Sequence, residues 1–409
     1  MRFRQKHENH LLNAGTQDHT QNMHYFGLQA TRIEQSGATW TTKEINQQPA
    51  VWKKVAAQAL RYSVEIDQFV AALLDNHRLR IVLTGAGTSA FIGDCLAPAM
   101  SHTLGRWVDA VSTTDLVARP DGYLYRDVPT LLVSFARSGN SPESVAAIDL
   151  CEQFVSNCQH LIITCNREGK LSERGNAMRN AKVIVLPDET NDRSFAMTSS
   201  FSSMLLAAGM IFRVLPREAA QVNHISAAAE KVMADIGSML PALVENRFER
   251  VIYLGSGALK GLAREAALKM LELSDGQVIA TSDTSLGFRH GPKTIVNHQT
   301  LIVVMLSNDP TTRRYDLDIL RELRGDAVAG RIVAVSAIAD AATAHPDHIL
   351  VDFMARESDI ATCLPFVVFA QALALVQSIA LGLKPDSPNA SGTVNRVVQG
   401  VTIYPALDD

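Results

Sequence analysis

Two similar segments, residues 81–87 and 251–257, each place a short apolar run directly before a Gly-x-Gly loop. The first reads Ile-Val-Leu-Thr-Gly-Ala-Gly and the second reads Val-Ile-Tyr-Leu-Gly-Ser-Gly. Short apolar runs that end at glycine predict buried strands, and each one here is followed by a stretch that favours helix. The pattern therefore predicts that one α/β architecture occurs twice along the chain.

Further short apolar runs predict the remaining strands of both halves. They lie at residues 130–135, 160–164, 182–187, 300–306, 331–336 and 348–351. Strands that alternate with helices indicate α/β domains, each with a doubly wound parallel sheet between two layers of helices, as in flavodoxin-like folds.

The length of 409 residues is too great for one ordinary core and predicts two domains. The predicted division is a helical lead-in, a first domain, a second domain and a C-terminal tail, at residues 1–48, 49–217, 218–385 and 386–409.

Composition excludes several classes of protein. The chain is 47% hydrophobic and 20% charged with a formal net charge of −4, which does not suit a nucleic-acid binder. Its five cysteines show no C-x-x-C spacing and predict reduced packing residues in a cytoplasmic protein. The first twenty residues contain no apolar run typical of a secretory signal. Two apolar stretches, residues 204–215 and 362–383, are short or interrupted by polar residues, so we expect buried helices and no membrane contact.

The loop after the first strand contains Gly87, Thr88 and Ser89 and leads into a predicted helix. Free backbone N–H groups at the positive end of a helix dipole suit a phosphate group, and the two hydroxyls could add donors. The dinucleotide pattern G-x-G-x-x-G is not met, because position 90 is Ala.

A second polar loop follows the strand at residues 130–135 and precedes a helix that starts near Pro142. Its hydroxyl and amide side chains would form a phosphate cradle, with a guanidinium as charge partner. The alternative interpretation is an ordinary serine-rich helix cap. The candidate residues are Arg137, Ser138, Asn140 and Ser141.

A predicted helix near residues 264–274 carries Glu265, Lys269 and Glu272 on one face. We expect this face to be a charged stripe and not part of the core, and the simplest alternative is a solvated i,i+4 ion pair. His290 stands in a loop before Gly-Pro, where an imidazole can be presented. Two carboxylates, an ammonium and an imidazole can open a sugar ring and move a proton between adjacent carbons.

Together these motifs resemble the tandem sugar-isomerase (SIS) domains of phosphosugar enzymes, and especially the galactosamine-6-phosphate deaminase/isomerase branch called AgaS. The resemblance covers nearly all of residues 49–405 and includes the specific stretches 194–201 and 284–292. A more distant resemblance is to the isomerase half of glucosamine-6-phosphate synthase. The fold that these resemblances imply is two tandem SIS domains.

The resemblance also implies roles for particular residues. Glu272 would shuttle a proton between C1 and C2, and His290 would assist ring opening from the neighbouring subunit. That arrangement implies a homodimer or a dimer of dimers with shared sites. Glu265 and Lys269 match the family's Glu-x-x-x-Lys pair. The phosphate would be held by Thr88, Ser89, Ser138, Ser141 and Thr198, to which the prediction adds the adjacent Ser199.

Two features of the synthase have no counterpart here. Nothing in the chain supplies its glutaminase domain with a cysteine nucleophile. Its tail lysine is also missing, because the last lysine is Lys384 and the matching position is near Gln399.

The preferred hypothesis is that a 6-phosphorylated amino sugar, D-galactosamine 6-phosphate, is isomerised and deaminated to D-tagatose 6-phosphate and ammonia. No cofactor and no metal are expected for this reaction. One alternative is an isomerase that releases no ammonia, because the same proton transfer serves both reactions. Another is a phosphosugar-binding regulator, although the lead-in is not basic and the acid/base residues are all present.

Overall fold

The computed structural model describes residues 24–398 and 400–405 and contains two five-stranded sheets in which every pairing is parallel. The first sheet has the order β4-β3-β5-β6-β7 and the second has the order β12-β11-β10-β8-β9. A small antiparallel hairpin, β1 (His24–Tyr25) and β2 (Leu28–Gln29), precedes both. The sheet strands are β3 Arg80–Thr84, β4 Trp107–Ala110, β5 Thr130–Ala136, β6 Cys158–Thr164, β7 Ala181–Val185, β8 Arg250–Leu254, β9 Ile279–Asp283, β10 Thr300–Met305, β11 Arg331–Ser336 and β12 His348–Leu350.

Both sheets have the same strand order when each is numbered from its own first strand, namely 2-1-3-4-5. This is the flavodoxin-like order, in which ligands bind beyond the carboxyl ends of the strands. The predicted α/β architecture with parallel sheets is therefore confirmed. Strands β4 and β9 were not predicted. Each lies at an edge of its sheet and is only partly buried, so its sequence lacks a continuous apolar run.

Helices pack on the sheets and between them. They are α1 Ala30–Gln35, α2 Thr39–Asn46, α3 Gln48–Arg61, α4 Ser63–Leu74, α5 Thr88–Leu104, α6 Thr113–Ala118, α7 Pro142–Phe154, α8 Lys170–Asn176, α9 Ser199–Ile211, α10 Ala219–Asp235, α11 Met239–Val244, α12 Ala258–Leu273, α13 Pro310–Asp326 and α14 Asp359–Ala380.

Helices α9 and α14 form the apolar centre of the molecule. Every residue of α9 is buried, and so is every residue of α14 from Ile360 to Ile379. By length and composition α14 could cross a membrane, but 94% of its most apolar window is buried inside the protein. The prediction that both apolar stretches are buried helices is confirmed, and each contributes to the core by removing apolar surface from water.

Helix α12 follows β8 of the second sheet and packs against α5, which follows β3 of the first sheet, and against α14. The approach to α5 is close at Gly261, where an added Cβ would lie 2.5 Å from the Cys95 backbone nitrogen. Only glycine fits such a contact. The crossing carries side chains of α12 to the carboxyl edge of the first sheet.

Candidate active site

The site is built where the start of α5 meets the middle of α12. Thr88 begins α5 directly after Gly87, which has a positive φ of 55°. On α12, the Lys269 ammonium donates a hydrogen bond to Thr88 Oγ1 at 2.9 Å. A loop that follows β3 of one sheet thus contacts a lysine that follows β8 of the other.

Lys269 is the centre of a buried charge cluster with Glu265 and Glu272. Its ammonium lies 3.6 Å from Glu265 Oε1 and forms a short hydrogen-bonded ion pair with Glu272. The side chains of Glu265 and Lys269 are fully buried, whereas that of Glu272 is 25% exposed. Glu272 is therefore the member of the cluster that a substrate can reach.

The prediction that these residues form a charged stripe outside the core is wrong. Their spacing is as predicted, but α5 and α14 cover the face of α12 that carries Glu265 and Lys269. The interpretation as a solvated i,i+4 pair fails for the same reason. Buried charges of this kind are costly unless they are paired, which marks the cluster as a functional candidate.

Burial and the nearby Glu272 raise the pKa of Glu265 to about 8, although Lys269 acts in the opposite direction. Neither carboxyl oxygen of Glu265 has a hydrogen-bond partner among the described residues. Burial lowers the pKa of Lys269, but Glu265 and Glu272 outweigh it, so the net change is upward. The cluster thus places one ammonium between two carboxyl groups, and Glu265 is the one whose neutral form burial favours.

The polar loop after β5 lies beside the loop after β3, because the two strands are paired as far as Thr84 and Ser134. Ser138 Oγ accepts a hydrogen bond from the backbone of Asn140 at 3.3 Å. Ser141 stands at the N-cap of α7 but makes no capping hydrogen bond with its side chain. Its hydroxyl instead contacts Ser144 Oγ at 2.6 Å. The loop is therefore not an ordinary serine cap, and its hydroxyls remain at a helix N-terminus that favours an anion.

The other residues predicted to bind phosphate differ in whether their polar atoms already have partners in the protein. Ser89 is buried in the first turn of α5, near the cluster. Asn140 accepts a hydrogen bond through Oδ1 from the backbone of Lys170 at 3.1 Å, which joins two neighbouring loops. Arg137 is buried and donates to the backbone carbonyls of Phe195, at 3.1 Å, and Arg396. Arg137 therefore holds the tail near the loop after β5, while its Nε is buried without a hydrogen-bond partner among the described residues.

Thr198 and Ser199 do not face an open anion site. Their backbone N–H groups donate to the carboxylate of Asp192 at 2.8 and 3.1 Å. The Thr198 hydroxyl also donates to Asp192, and that of Ser199 donates to the Glu44 carbonyl at 2.7 Å. A carboxylate therefore already caps the N-terminus of α9. Without a ligand, Thr198 and Ser199 are therefore held by protein groups, and their role in phosphate binding stays a prediction.

His290 is exposed at the end of a short 3-10 turn, Gly287–Arg289, and is followed by Gly291 with a φ of 119°. Among the described residues, no hydrogen bond or ion pair links His290 to Glu265, Lys269 or Glu272. A single chain therefore leaves the imidazole outside the buried cluster.

Sequence reasoning missed a pair of buried carboxylates beneath α9, Glu44 and Asp192. Glu44 accepts hydrogen bonds from the backbone of Arg193 and Ser194, while burial and then Asp192 raise its pKa to about 7. Arg396 of the tail donates to the Asp192 carbonyl at 2.9 Å. The only hint in the sequence was an aspartate shortly before a serine-rich helix start.

The corresponding edge of the second sheet is occupied by a carboxylate. Asp316 accepts hydrogen bonds from the Ser256 and Ser285 hydroxyls, the first at 2.8 Å, and from the Ser307 backbone at 3.0 Å. A phosphate there would meet a negative charge among groups that are already satisfied. The first sheet therefore provides the better anion site.

Comparisons with known proteins agree with this architecture. A family model described as SIS domain matches residues 73–213. The D-galactosamine-6-phosphate deaminase AgaS of Escherichia coli is 44% identical over 368 residues, which cover 90% of this chain and 96% of that protein.

Solved structures extend the comparison. Tagatose-6-phosphate ketose/aldose isomerase from Escherichia coli is 41% identical, with a TM-score of 0.83, and the match covers 90% of this chain and 97% of that one. The C-terminal domain of glucosamine-fructose-6-phosphate aminotransferase from Francisella tularensis shares the fold, with a TM-score of 0.70 at 18% identity over 85% of this chain and 98% of that one. Sequence, fold and coverage agree with the predicted resemblance, and the chain belongs to the AgaS family of SIS-domain proteins.

Proposed function

We propose that this protein is an enzyme that converts D-galactosamine 6-phosphate into D-tagatose 6-phosphate and ammonia. The AgaS relative, at 44% identity over 90% of the chain, supports this substrate and reaction. The observation in the structure that carries the proposal is the hydrogen bond between Lys269 and Thr88, which joins a buried acid/base cluster to a loop suited to phosphate. Proton transfer and phosphate binding can then take place on one substrate.

The reaction begins when the sugar ring opens to an aldehyde at C1 with an amine at C2. Glu272, as a carboxylate, takes the proton from C2 while the C1 oxygen takes a proton from solvent, which gives an enolamine that spans C1 and C2. Glu272 then returns its proton to C1, which leaves an iminium at C2. Water adds to the iminium and the nitrogen leaves as ammonium, so the product is a 2-ketose 6-phosphate.

Lys269 and Glu265 lie on the buried side of Glu272. Lys269 is fully buried and donates to Thr88 and Glu272, so we assign it to holding the Glu272 carboxylate in position. Burial raises the pKa of Glu265, and the hydrogen-bonded partner of Lys269 in the cluster is Glu272.

We also propose that the second sheet belongs to a second SIS domain and that the domains span residues 49–217 and 218–385. The shared 2-1-3-4-5 strand order supports a tandem duplication. A homodimer, or a dimer of dimers, would allow the exposed His290 to enter a neighbour's site and assist ring opening there. The five free, buried cysteines are in keeping with a cytoplasmic enzyme.

The reaction is tested by incubating the purified chain with D-galactosamine 6-phosphate and measuring ammonia and ketose together. We expect equal amounts of ammonia and D-tagatose 6-phosphate, and slower turnover of D-glucosamine 6-phosphate. Ketose formed from hexose phosphates without any ammonia would identify an isomerase and contradict the proposal. Saturable binding with no turnover of any amino-sugar phosphate would identify a regulator instead.

Removing two hydroxyls of the phosphate loop tests where the phosphate binds. In the Ser138→Ala, Ser141→Ala double variant we expect weaker substrate binding, because each hydrogen bond to a charged phosphate contributes roughly 1.5 to 3 kcal/mol. Part of the loss should appear in kcat, since binding of a remote phosphate also supports the reacting carbons. Steady-state kinetics measure both. Ser256→Ala is the matched control in the second sheet and should change neither KM nor kcat. If Ser256→Ala weakens binding and the double variant does not, the phosphate binds at the second sheet.

The raised pKa of Glu265 predicts a pH-dependent stability. The folded state keeps this proton between the ordinary carboxyl value of 4.5 and about 8, while the unfolded chain has lost it. The free energy of unfolding therefore falls as pH rises through that window and levels off above it. Glu265→Gln should make the decline shallower, as measured by urea unfolding at several pH values, and the raised pKa of Glu44 should account for part of what remains. Glu230→Gln, at an exposed glutamate paired with Lys53, should retain the wild-type slope. An unchanged slope in Glu265→Gln would contradict this assignment.

A further inference from the structure

A second group of chemically reactive side chains lies at the opposite edge of the first sheet from the phosphate loops. Cys158 begins β6 and His160 follows two residues later, while Cys151 and Glu152 lie in the last turn of α7. Cys151, Cys158 and His160 are all buried, and their ligand atoms lie within 4.8 Å of one another. None of these residues takes part in the proposed reaction.

The distances suit a small tetrahedral ion. Cys158 Sγ lies 3.5 Å from His160 Nε2. Bond lengths of about 2.3 Å from zinc to sulfur and about 2.0 to 2.1 Å from zinc to nitrogen would separate these two atoms by about 3.5 Å in a tetrahedron. The ligand atom of Cys151 lies within 4.8 Å of both of these atoms, and small side-chain rotations would bring it to a similar separation.

A fourth donor is in reach. Glu152 Oε1 hydrogen-bonds His160 Nε2 at 2.8 Å and accepts a hydrogen bond from Asn180 at 2.8 Å. To bind one tetrahedral ion together, Glu152 Oε1 and His160 Nε2 would move roughly half an ångström apart. The Glu152 side chain is 36% exposed whereas that of His160 is fully buried, so the carboxylate provides a path from solvent to the thiols. Supporting hydrogen bonds such as that of Asn180 orient the ligands of metal sites.

Two further observations favour a cation here. The C-terminal end of α7, a helix of 13 residues, directs its partial negative charge toward the cluster. His160 Nδ1 is buried without a hydrogen-bond partner among the described residues, and Nε2 already faces Cys158 Sγ and Glu152 Oε1. Thiolate, imidazole and carboxylate donors together suit zinc better than magnesium or calcium.

We propose that Cys151, Cys158, His160 and Glu152 bind a structural zinc ion that joins the end of α7 to the start of β6. Binding releases the two thiol protons to solvent and forms two zinc–sulfur bonds, one zinc–nitrogen bond and one zinc–oxygen bond. With four protein ligands the coordination is closed, so the ion stabilises the fold and takes no part in the reaction at the other edge of the sheet.

The first test measures the zinc content of the full-length chain after expression with added zinc and dialysis under reducing conditions. We expect about one zinc per chain in the wild type and less than about a tenth of that in Cys158→Ala and His160→Ala. Cys363→Ala removes a buried thiol in α14 and is the matched control, which should keep the wild-type content. Chelation should lower the Tm of the wild type and of this control alike.

A second measurement does not depend on the folding of a variant. Wild-type protein stripped of metal and given Co²⁺ should show an intense thiolate-to-cobalt absorption band that zinc displaces. Absence of this band, zinc below about a tenth of an ion per wild-type chain, or full zinc retention in a folded Cys158→Ala protein would each overturn the proposal. A Cys151–Cys158 disulfide in freshly purified, metal-free protein would also overturn it.

Discussion

Replacing Glu272 by Gln is expected to reduce kcat by about 10²- to 10⁴-fold, because the amide keeps the shape of the side chain and loses the base. The Kd for the sugar phosphate should change little, since the phosphate loops are untouched. Ammonia release measures the first quantity, and calorimetric titration with substrate measures the second.

The control for this variant is Glu230→Gln, which removes a carboxylate from the exposed surface of α10 and should leave both values at the wild-type level. A Glu272→Gln enzyme with the wild-type rate would show that another group takes the C2 proton. Glu265 would then be the first residue to test, because it contacts the same ammonium.

Mixing two inactive variants is expected to restore activity if His290 serves a neighbouring subunit. A His290→Ala chain and a Glu272→Gln chain are each expected to be nearly inactive alone. In a mixed dimer one site would contain both defects and the other neither, so about half of the sites should be intact. Activity would be measured after subunit exchange, with the mixed species quantified by native mass spectrometry.

Glu272→Gln mixed with a second, tagged Glu272→Gln chain is the control and should remain inactive. If exchange occurs and the two different variants recover nothing, each His290 acts within its own chain and the shared-site proposal is wrong.

Local pattern predicted much of the fold. The buried strands are short apolar runs that end at loops of small and polar residues, and their order along the chain predicted parallel sheets. Strands β4 and β9 were not predicted, because an edge strand is covered on fewer sides and its sequence is more polar. Helix α12 was predicted to end before Asp275, and the structure ends it at Leu273.

Burial of the site depended on tertiary contacts that local pattern does not contain. Periodicity correctly grouped Glu265, Lys269 and Glu272 on one face of α12. It did not predict that α12 packs against α5 and α14, which buries Glu265 and Lys269. The resemblance implied a phosphate role for Thr198, and that role stays a prediction. Local pattern did not predict that Asp192 accepts hydrogen bonds from the N–H groups of Thr198 and Ser199, because this contact depends on the loop between β7 and α9.

Long-range partners account for the other differences. Arg137 donates to the carbonyl of Arg396 in the tail, and Asp316 fills the polar edge of the second sheet. Neither contact joins neighbours in sequence, so no local motif marks it. The position near Gln399, where the distant synthase has its tail lysine, lies outside the described residues, as do residues 1–23 of the predicted lead-in.

The most direct test of the account follows the hydrogen at C2. With D-galactosamine 6-phosphate deuterated at C2, the wild type should lose C2 deuterium in step with the appearance of ammonia, as followed by NMR. The Glu272→Gln variant should slow both events by the same factor, about 10²-fold or more. If that variant releases C2 deuterium at the wild-type rate, Glu272 is not the base, and the buried cluster on α12 is not the centre of the reaction.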